Sequence, residues 1–229
     1  MDRRCLTVRA LRLLHKLAPL VRSYDAVLAG GTGLALQLGH RISVDFDLFT
    51  SRKVPVRRLL AQIKEMGLRP EVELAKDDTF VCMFPESKFS LFRHPYPFLG
   101  TEVFEGVKVA SVLDIASMKV AAIAQRGARR DFIDLYHILQ SIPFRKVAET
   151  LKSRYGDVLA SATIGKALVF FDDAENYPDP EYIGAGVKWE MVKRFFEKHA
   201  RQCVLDLEAI YMERWPSGRR QPPAKRLYA

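Results

Sequence analysis

The sequence has 229 residues, of which 48% are hydrophobic and 28% are charged, which excludes a disordered or collagen-like chain and predicts a globular protein. Its 36 Lys and Arg against 27 Asp and Glu give a net charge of +9, which favours a polyanionic partner such as a nucleotide, a nucleic acid or an acidic protein. The three cysteines, Cys5, Cys82 and Cys203, are too widely spaced for a zinc knuckle or a disulfide framework. No apolar run approaches the ~20 residues of a membrane span, so we expect a cytoplasmic protein with no membrane partner.

The first half of the chain alternates helical and extended patterns. Apolar residues at helical spacing predict helices over 6–21, 32–38 and 57–66, the last two ended by Gly39 and Gly67. Short apolar or alternating runs predict strands over 24–29, 44–49, 71–74, 79–84 and 89–92, followed by a hairpin over 102–109. This order of elements predicts a core that is built on a mixed sheet.

From Ser111 onward the pattern is helical. It predicts helices over 111–125, 131–139, 144–155, 159–171 and 189–212. Residues 213–229 are basic and rich in proline, which predicts a loose tail. The expected fold class is therefore α+β, a mixed-sheet core with an attached C-terminal helical bundle. We expect the domains at 1–140 and 141–212, followed by the tail.

Two carboxylates mark the strand predicted over 44–49. Asp45 and Asp47 are two residues apart, so on a strand they share one face with Cα atoms roughly 7 Å apart. Like charges at that distance repel unless a cation lies between them, and Mg²⁺ prefers carboxylate oxygens. Asp45 and Asp47 are thus candidate metal ligands and catalytic residues. The alternative is a solvated strand face that carries two acids.

A glycine turn precedes this strand. Gly30, Gly31 and Thr32 come between a predicted buried strand and a predicted helix, where free backbone amides attract phosphate. Arg41 and Ser43, on the loop that leads to the acidic strand, are further candidates for binding phosphate oxygens. For these two residues the alternative is an ordinary exposed loop.

Glycine turn and acidic strand together resemble the motif of the DNA polymerase beta-like nucleotidyltransferases. The longer string GGTGLALQLGHRISVDFDLF, residues 30–49, is similar to the AbiEii-type nucleotidyltransferase family, the toxin halves of abortive-infection toxin–antitoxin pairs. The resemblance implies transfer of a nucleoside monophosphate from a triphosphate to an acceptor hydroxyl. It also implies Mg²⁺ or Mn²⁺ as cofactor, a tRNA or other RNA as acceptor, and a separately encoded antitoxin, with which we expect no tight complex.

A second segment, DIASMKVAAIAQRGARRDFIDLY at 114–136, is similar to that family's second motif. Lys119 and Arg126 are seven residues apart and share a helix face, so they are candidates for binding the triphosphate and stabilising developing charge. The alternative is a solvated basic stripe. The resemblance implies that Asp131 and Asp134 complete the catalytic site. Their structural alternatives are an N-cap for Asp131 and an ion pair with Arg130 for Asp134.

The pattern departs from the superfamily at its third metal-binding acid. Glu73 is the favoured candidate, but it lies in no convincing motif. If that acid is absent, the chain is alternatively a catalytically inactive nucleotide- or RNA-binding protein on the same fold. Four phenylalanines are expected in the core rather than under a stacked base: Phe80, Phe84, Phe89 and Phe92.

Overall fold

The computed structural model describes residues 1–156 and 159–212. The chain divides into two compact units, Met1–Ile115 with Pro180–Gly186, and Ala116–Asp179 with the chain from Val187 onward. This division falls inside a helix and lies before the expected domain boundary at 140/141. The predicted tail, 213–229, lies outside the described residues.

The first unit contains the glycine turn and the acidic strand. After a short 3-10 turn (Arg3–Cys5), its elements are α1 (Val8–Ser23), β1 (Val27–Leu28), α2 (Gly30–Leu38), β2 (Phe46–Thr50), α3 (Val56–Glu65), β3 (Glu71–Lys76), β4 (Thr79–Met83), β5 (Lys88–Arg93), β6 (Thr101–Phe104) and β7 (Val107–Ala110). The helix that follows, α4 (Val112–Arg126), starts in this unit and continues into the second.

The strands described in the first unit form one seven-stranded mixed sheet in the order β3-β4-β5-β2-β1-β7-β6. At its centre, β2 pairs parallel with β5 and antiparallel with β1, and β1 pairs parallel with β7. Neighbours along the chain such as β1 and β2 pair directly, whereas β2 and β5 are brought together across two intervening strands. The sheet confirms the predicted mixed α+β core.

Alternation along the strands gives this sheet a buried face. Phe46 and Leu48 of β2 are 0% exposed and join Phe80 and Phe89 in the core. Helix α1 covers part of the core with residues at helical spacing, among them the fully buried Leu17, and Thr7 caps its N-terminus by accepting a hydrogen bond from the amide of Ala10. The period of each pattern in the sequence therefore decides which side chains become core.

The second unit is helical in its described part. It comprises the remainder of α4, α5 (Arg129–Leu139), α6 (Phe144–Tyr155), α7 (Ser161–Ala167), α8 (Asp172–Glu175) and α9 (Trp189–Met212). The long helix α9 packs against α5, α6 and α7, and Phe132, Phe196 and Trp189 form an aromatic cluster with ring centroids 5.5–5.9 Å from Phe132. The single helix predicted over 159–171 was wrong, because α7 ends at Ala167 and α8 begins only at Asp172.

The acidic first turn of α8, which contains Asp172 and Asp173, suits a new helix N-terminus and explains part of this break. No helix within residues 1–156 and 159–212 is long and apolar enough to cross a membrane.

Candidate active site

The glycine turn brings the N-terminus of α2 against Asp47. Gly30 has a φ of +60°, in the left-handed region that glycine adopts without a Cβ penalty. A Cβ at Gly30 would lie 2.7 Å from Oδ2 of Asp47, so this close approach requires glycine. Gly30 therefore allows the glycine turn to pack directly against the carboxylate of Asp47.

Helix α2 starts at Gly30 rather than at the predicted Thr32. Its first intrahelical bond runs from the amide of Gly33 to the carbonyl of Ala29, at 3.0 Å, so the amides of residues 30–32 precede the hydrogen-bonded ladder. No acidic residue belongs to this first turn, and its N-cap residue, Ala29, makes no side-chain cap. Amides without an intrahelical acceptor, at the positive end of a helix dipole, suit a phosphate group.

Thr32 ties the acidic segment to the turn. Its side chain is buried, and its hydroxyl donates to the carbonyl oxygen of Asp45 at 2.5 Å. Because a threonine hydroxyl has one proton to donate, the 2.9 Å contact with Ser43 is a hydrogen bond from the serine hydroxyl to Thr32. Thr32 and Ser43 thus hold the loop that ends at Asp45.

The two predicted metal ligands lie at the start of β2. The strand begins at Phe46, so Asp45 is the last residue of the preceding loop and Asp47 the second residue of the strand. Both side chains are half-buried, and both act electrostatically on the ammonium group of Lys88. The two carboxylates therefore lie within electrostatic range of the same ammonium group.

This carboxylate pair fits a magnesium ion. Mg²⁺ is commonly held by one or two protein carboxylates, with water and substrate phosphates completing its octahedron. Across the described ranges, 1–156 and 159–212, no group of three or more His, Cys, Asp or Glu side chains is placed to hold a metal. The donor set is thus two carboxylates beside a helix N-terminus that suits a phosphate group, which fits an ion that arrives with a triphosphate.

The strand beside β2 carries no acid at the level of this pair. Asp47 lies opposite Ser90 of β5, and Lys88 begins that strand. Glu73, the favoured third acid, lies on β3, which β4 and β5 separate from β2. It accepts a hydrogen bond from Lys88 at 2.7 Å, and this contact raises the pKa of Lys88, with a smaller contribution from Asp45 and Asp47.

Lys88 is a residue that the sequence analysis missed. It precedes the strand predicted over 89–92, and its proximity to the acids depends on the parallel pairing of β2 with β5, for which a single sequence holds no local signal. The sequence signal that remains, a lysine at the start of a strand, is too common to assign a role.

Arg41 is buried rather than on an exposed loop. Its side chain is 5% exposed, and its guanidinium packs against Gly31 and donates to the carbonyl of Ile42 at 3.1 Å. The returning segment Pro180–Gly186 fixes this loop, because Arg41 forms a β-bridge with Tyr182 and the amide of Ile42 donates to Glu181. A buried cation thus lies directly at the glycine turn.

In the second unit the predicted residues form a buried ionic cluster. The ammonium of Lys119 lies 2.8 Å from Asp131 and 2.6 Å from Asp134, and both carboxylates are 0% exposed. Arg126 adds two hydrogen bonds to Asp131, at 2.9 and 3.2 Å, while 53% of its own side chain remains exposed. Two cations and two anions balance here, so the solvated basic stripe is ruled out for Lys119.

The charges of this cluster explain the state of Asp131. Burial alone would raise the pKa of this carboxyl, but the positive charge of Lys119 and the hydrogen bonds from Arg126 and Lys119 outweigh it and hold the pKa below its ordinary value. Asp131 lies in the first turn of α5, whose N-cap is Ala128, so Asp131 is not an N-cap.

The structure therefore brings the predicted residues together in two groups. The first unit holds Gly30, Gly31, Thr32, Arg41, Ser43, Asp45 and Asp47. The second holds Lys119, Arg126, Asp131 and Asp134.

Known proteins match most of the chain. The family model of the nucleotidyl transferase AbiEii toxin, type IV toxin–antitoxin system, matches residues 12–79 and 90–210, which include both groups. The protein aq_aa25 of Aquifex aeolicus (strain VF5) is 34% identical over 200 residues, covering 83% of this chain and 94% of the relative.

Two solved structures align with most of the chain. MenT4, the nucleotidyltransferase toxin Rv2826c of Mycobacterium tuberculosis H37Rv, aligns with a TM-score of 0.55 at 18% identity over 88% of this chain and 91% of its own. JHP933 of Helicobacter pylori aligns with a TM-score of 0.47 at 19% identity over 91% and 97%. The family match over most of the chain supplies the identification, and MenT4 resembles the chain in fold. The chain belongs to the AbiEii nucleotidyltransferase toxin family, and it is a nucleotidyltransferase.

Proposed function

We propose that this nucleotidyltransferase uses Mg²⁺ to transfer a nucleoside monophosphate from a nucleoside triphosphate to a hydroxyl of an RNA acceptor, most simply a tRNA, with release of pyrophosphate. The observation that carries the proposal is the approach of Asp47 to Gly30 at the N-terminus of α2. It joins a metal-binding group to a phosphate-binding group at one point of the fold.

In this proposal the first unit binds the triphosphate through its backbone. The amides of Gly30, Gly31 and Thr32 donate to phosphate oxygens, and the buried guanidinium of Arg41 adds positive charge at the turn. Ser43 and Thr32 hold Asp45 in place through their hydroxyl chain. Magnesium bound by Asp45 and Asp47 would supply positive charge that stabilises the phosphoryl group during transfer.

The roles of the second group stay predictions, with one refinement. Lys119 is enclosed by Asp131 and Asp134, so we assign these acids to positioning Lys119 rather than to accepting a proton from the acceptor hydroxyl. Arg126 keeps about half of its side chain exposed while it pairs with Asp131, which favours it over Lys119 as a direct contact to triphosphate oxygens.

The distribution of charge supports a polyanionic acceptor. Residues 8–23 contain four Lys or Arg and no acid, and residues 51–69 contain six Lys or Arg and one acid. The surplus of positive charge in these two segments together equals the net charge of the whole chain, +9. Six of these cations are exposed and have no ion-pair partner among the residues that the structure describes: Arg9, Arg12, Lys16, Arg57, Arg58 and Lys64. Such a surface attracts nucleic acid at long range.

The family's toxin–antitoxin context also implies an antitoxin. We keep the expectation that it forms no tight complex with this chain, so that the RNA-facing surface stays available. A stable complex on gel filtration of the co-expressed proteins would contradict this expectation.

The experiment is incubation with each labelled nucleoside triphosphate in turn, Mg²⁺ and total tRNA, followed by gel analysis of the RNA. Labelled RNA with at least one nucleotide, lost on chelation of the metal, is the expected result. Folded protein that labels no RNA with any nucleotide would overturn the proposal. RNA binding that falls steeply with salt but is unaffected by Asp45→Asn would then favour the inactive RNA-binding alternative.

A matched pair of variants controls this assay. Asp47→Asn removes one carboxylate of the pair, whereas Asp77→Asn makes the same change at an aspartate that is 80% exposed on the β3–β4 turn. Loss of transfer in Asp47→Asn but not in Asp77→Asn would tie the reaction to the proposed site.

A further inference from the structure

The sheet face that carries Asp47 also carries aromatic rings. Along β2 burial alternates, with Phe46 and Leu48 fully buried, whereas Asp47 and Phe49 on the opposite face are half-buried. Phe49 follows Asp47 by two residues, which puts the two side chains on one face with Cα atoms roughly 7 Å apart. An aromatic residue therefore follows Asp47 on the same face of β2.

Strand β5 extends this surface. Phe92 lies directly opposite Phe49 in the parallel register, and the two rings are tilted by 30° with centroids 5.4 Å apart. The segment after β5 adds His94 and Phe98, whose ring centroids lie 5.4 and 6.2 Å from that of Phe49. All four rings are half-buried, so this aromatic platform (Phe49, Phe92, His94 and Phe98) keeps part of its surface exposed.

The expectation that these phenylalanines lie in the core is therefore confirmed for Phe80, Phe84 and Phe89 and wrong for Phe92. Phe80, Phe84 and Phe89 are at most 5% exposed and lie in the core, where the ring centroids of Phe80 and Phe84 are each 6.4 Å from that of Phe89. Phe92 lies on the other face with Phe49. Half-exposed rings on a sheet bind planar groups well, because base–aromatic stacking is favourable for every nucleobase.

The position of the platform relative to the glycine turn favours the acceptor over the nucleoside triphosphate as its ligand. Gly30 and Gly31 follow β1, on one flank of β2, whereas Phe92 lies on β5, on the other flank. In phosphoryl transfer the attacking oxygen and the leaving pyrophosphate lie roughly in line on opposite sides of the phosphorus. A triphosphate that is anchored at the glycine turn leaves the β5 flank of the carboxylates for the attacking hydroxyl.

We propose that Phe49 and Phe92, buttressed by His94 and Phe98, form a stacking subsite for a nucleobase at the reacting end of the acceptor RNA. The inference rests on the proposed transfer to RNA and adds a means of recognition that tolerates different bases. It assigns these rings to the acceptor and not to the base of the nucleoside triphosphate.

The test combines a protein change with a substrate change. Phe49→Leu and Phe92→Leu remove the aromatic face but keep an apolar side chain, and Phe84→Leu is the matched control on the buried face. The acceptor is supplied either intact or with its 3′-terminal nucleotide abasic. Steady-state transfer then gives kcat and a separate KM for the acceptor and for the nucleotide.

Loss of one stacked base should raise the acceptor KM by a factor of about 5 to 150, both for Phe49→Leu with intact RNA and for the wild-type chain with abasic RNA. Combining the variant with abasic RNA should add little further loss, because both changes remove the same contact. Phe84→Leu should leave the acceptor KM unchanged, and the nucleotide KM should stay within about twofold in every case.

Two results would overturn the subsite: losses that multiply when the two changes are combined, or a change confined to the nucleotide KM. The abasic acceptor tests the wild-type chain, so the result does not depend on the variants being stable. A wild-type chain that transfers to no RNA fails earlier, at the proposed function, and is recognised by the absence of any labelled product.

Discussion

The two groups of predicted residues handle charge in opposite ways. In the first unit, Asp45 and Asp47 are half-buried beside a helix N-terminus, at the beginning of a strand. In the second, Asp131 and Asp134 are 0% exposed and are neutralised by Lys119, with Arg126 at the edge. Aspartates thus occur in two settings. Asp45 and Asp47 are accessible to a charged ligand, whereas Asp131 and Asp134 are buried and paired with cations of the protein itself.

The difference predicts which property each group controls. A half-exposed carboxylate keeps much of its hydration, so removing its charge changes little in the free energy of unfolding. A buried ion pair depends on both partners, and removing one leaves an uncompensated charge in a low-dielectric interior. We therefore expect substitutions of Asp45 or Asp47 to affect the reaction and substitutions in the second group to affect folding as well.

The largest expected effect is on catalysis in the first unit. Asp47→Asn should reduce turnover by at least about 10⁴-fold, because a neutral amide is a poor magnesium ligand and the charge stabilisation at stake exceeds about 5 kcal/mol. Thermal unfolding should be close to that of the wild-type chain. Measured turnover together with the melting curve checks both halves, and a variant that retains activity would remove Asp47 from the metal site.

The next effect is on stability in the second unit. Lys119→Met removes the cation between two buried carboxylates, and we expect it to lower the free energy of unfolding by about 3–5 kcal/mol in urea titrations. The double variant Lys119→Met/Asp134→Asn removes one of the stranded charges and should recover part of that loss. If the double variant is less stable than the single one, the cluster is not an electrostatic unit.

The buried position of Lys119 makes it an ambiguous probe of catalysis. A fall in the activity of Lys119→Met combines lost catalysis with partial unfolding, so the activity must be compared at equal folded fractions. Arg126, which is 53% exposed, is the better probe of triphosphate binding, because its removal leaves Asp131 still paired with Lys119.

Protonation of Asp131 should have a smaller effect than Lys119→Met, since the side chain stays in place. The folded-state pKa of Asp131 lies below its ordinary value of 3.8, so the ionised form contributes stability above about pH 4, and this is lost as the pH falls through the folded-state pKa. Unfolding free energies between pH 6 and pH 3 should fall less steeply for Asp131→Asn than for the wild-type chain. Parallel pH profiles would show that this carboxyl makes no such contribution.

Local patterns predicted much of the first group. The glycine turn, the helix after it and the alternation around Asp47 each depend on neighbouring residues, so the sequence contains them directly. The helical spacing of Lys119 and Arg126 likewise predicted a shared environment, but it did not predict burial. Burial of Lys119 follows from Asp131 and Asp134 on α5, which no pattern on α4 reveals.

Long-range pairings account for what the sequence analysis missed. Lys88 and Phe92 lie beside β2 only because β5 pairs with it in parallel, with β3 and β4 between them in the chain. Arg41 is buried, and its loop is hydrogen-bonded to Pro180–Gly186, a segment that is distant in sequence. The sequence shows the chemical type of each of these side chains, but it does not predict which residues they contact.

The smallest expected effect tests how far the position of Asp45 depends on the buried hydroxyl of Thr32. Thr32→Val keeps the shape of the side chain but removes the hydroxyl that donates to the carbonyl of Asp45 and accepts from Ser43. We expect a loss of about 1 kcal/mol in the free energy of unfolding and a decrease in kcat larger than the change in the acceptor KM, because Asp45 is held less firmly. Thr32→Ser, which restores the hydroxyl, should recover most of both properties. If valine and serine behave alike, the hydroxyl chain does not position Asp45, and the first group owes its geometry to the backbone of the glycine turn alone.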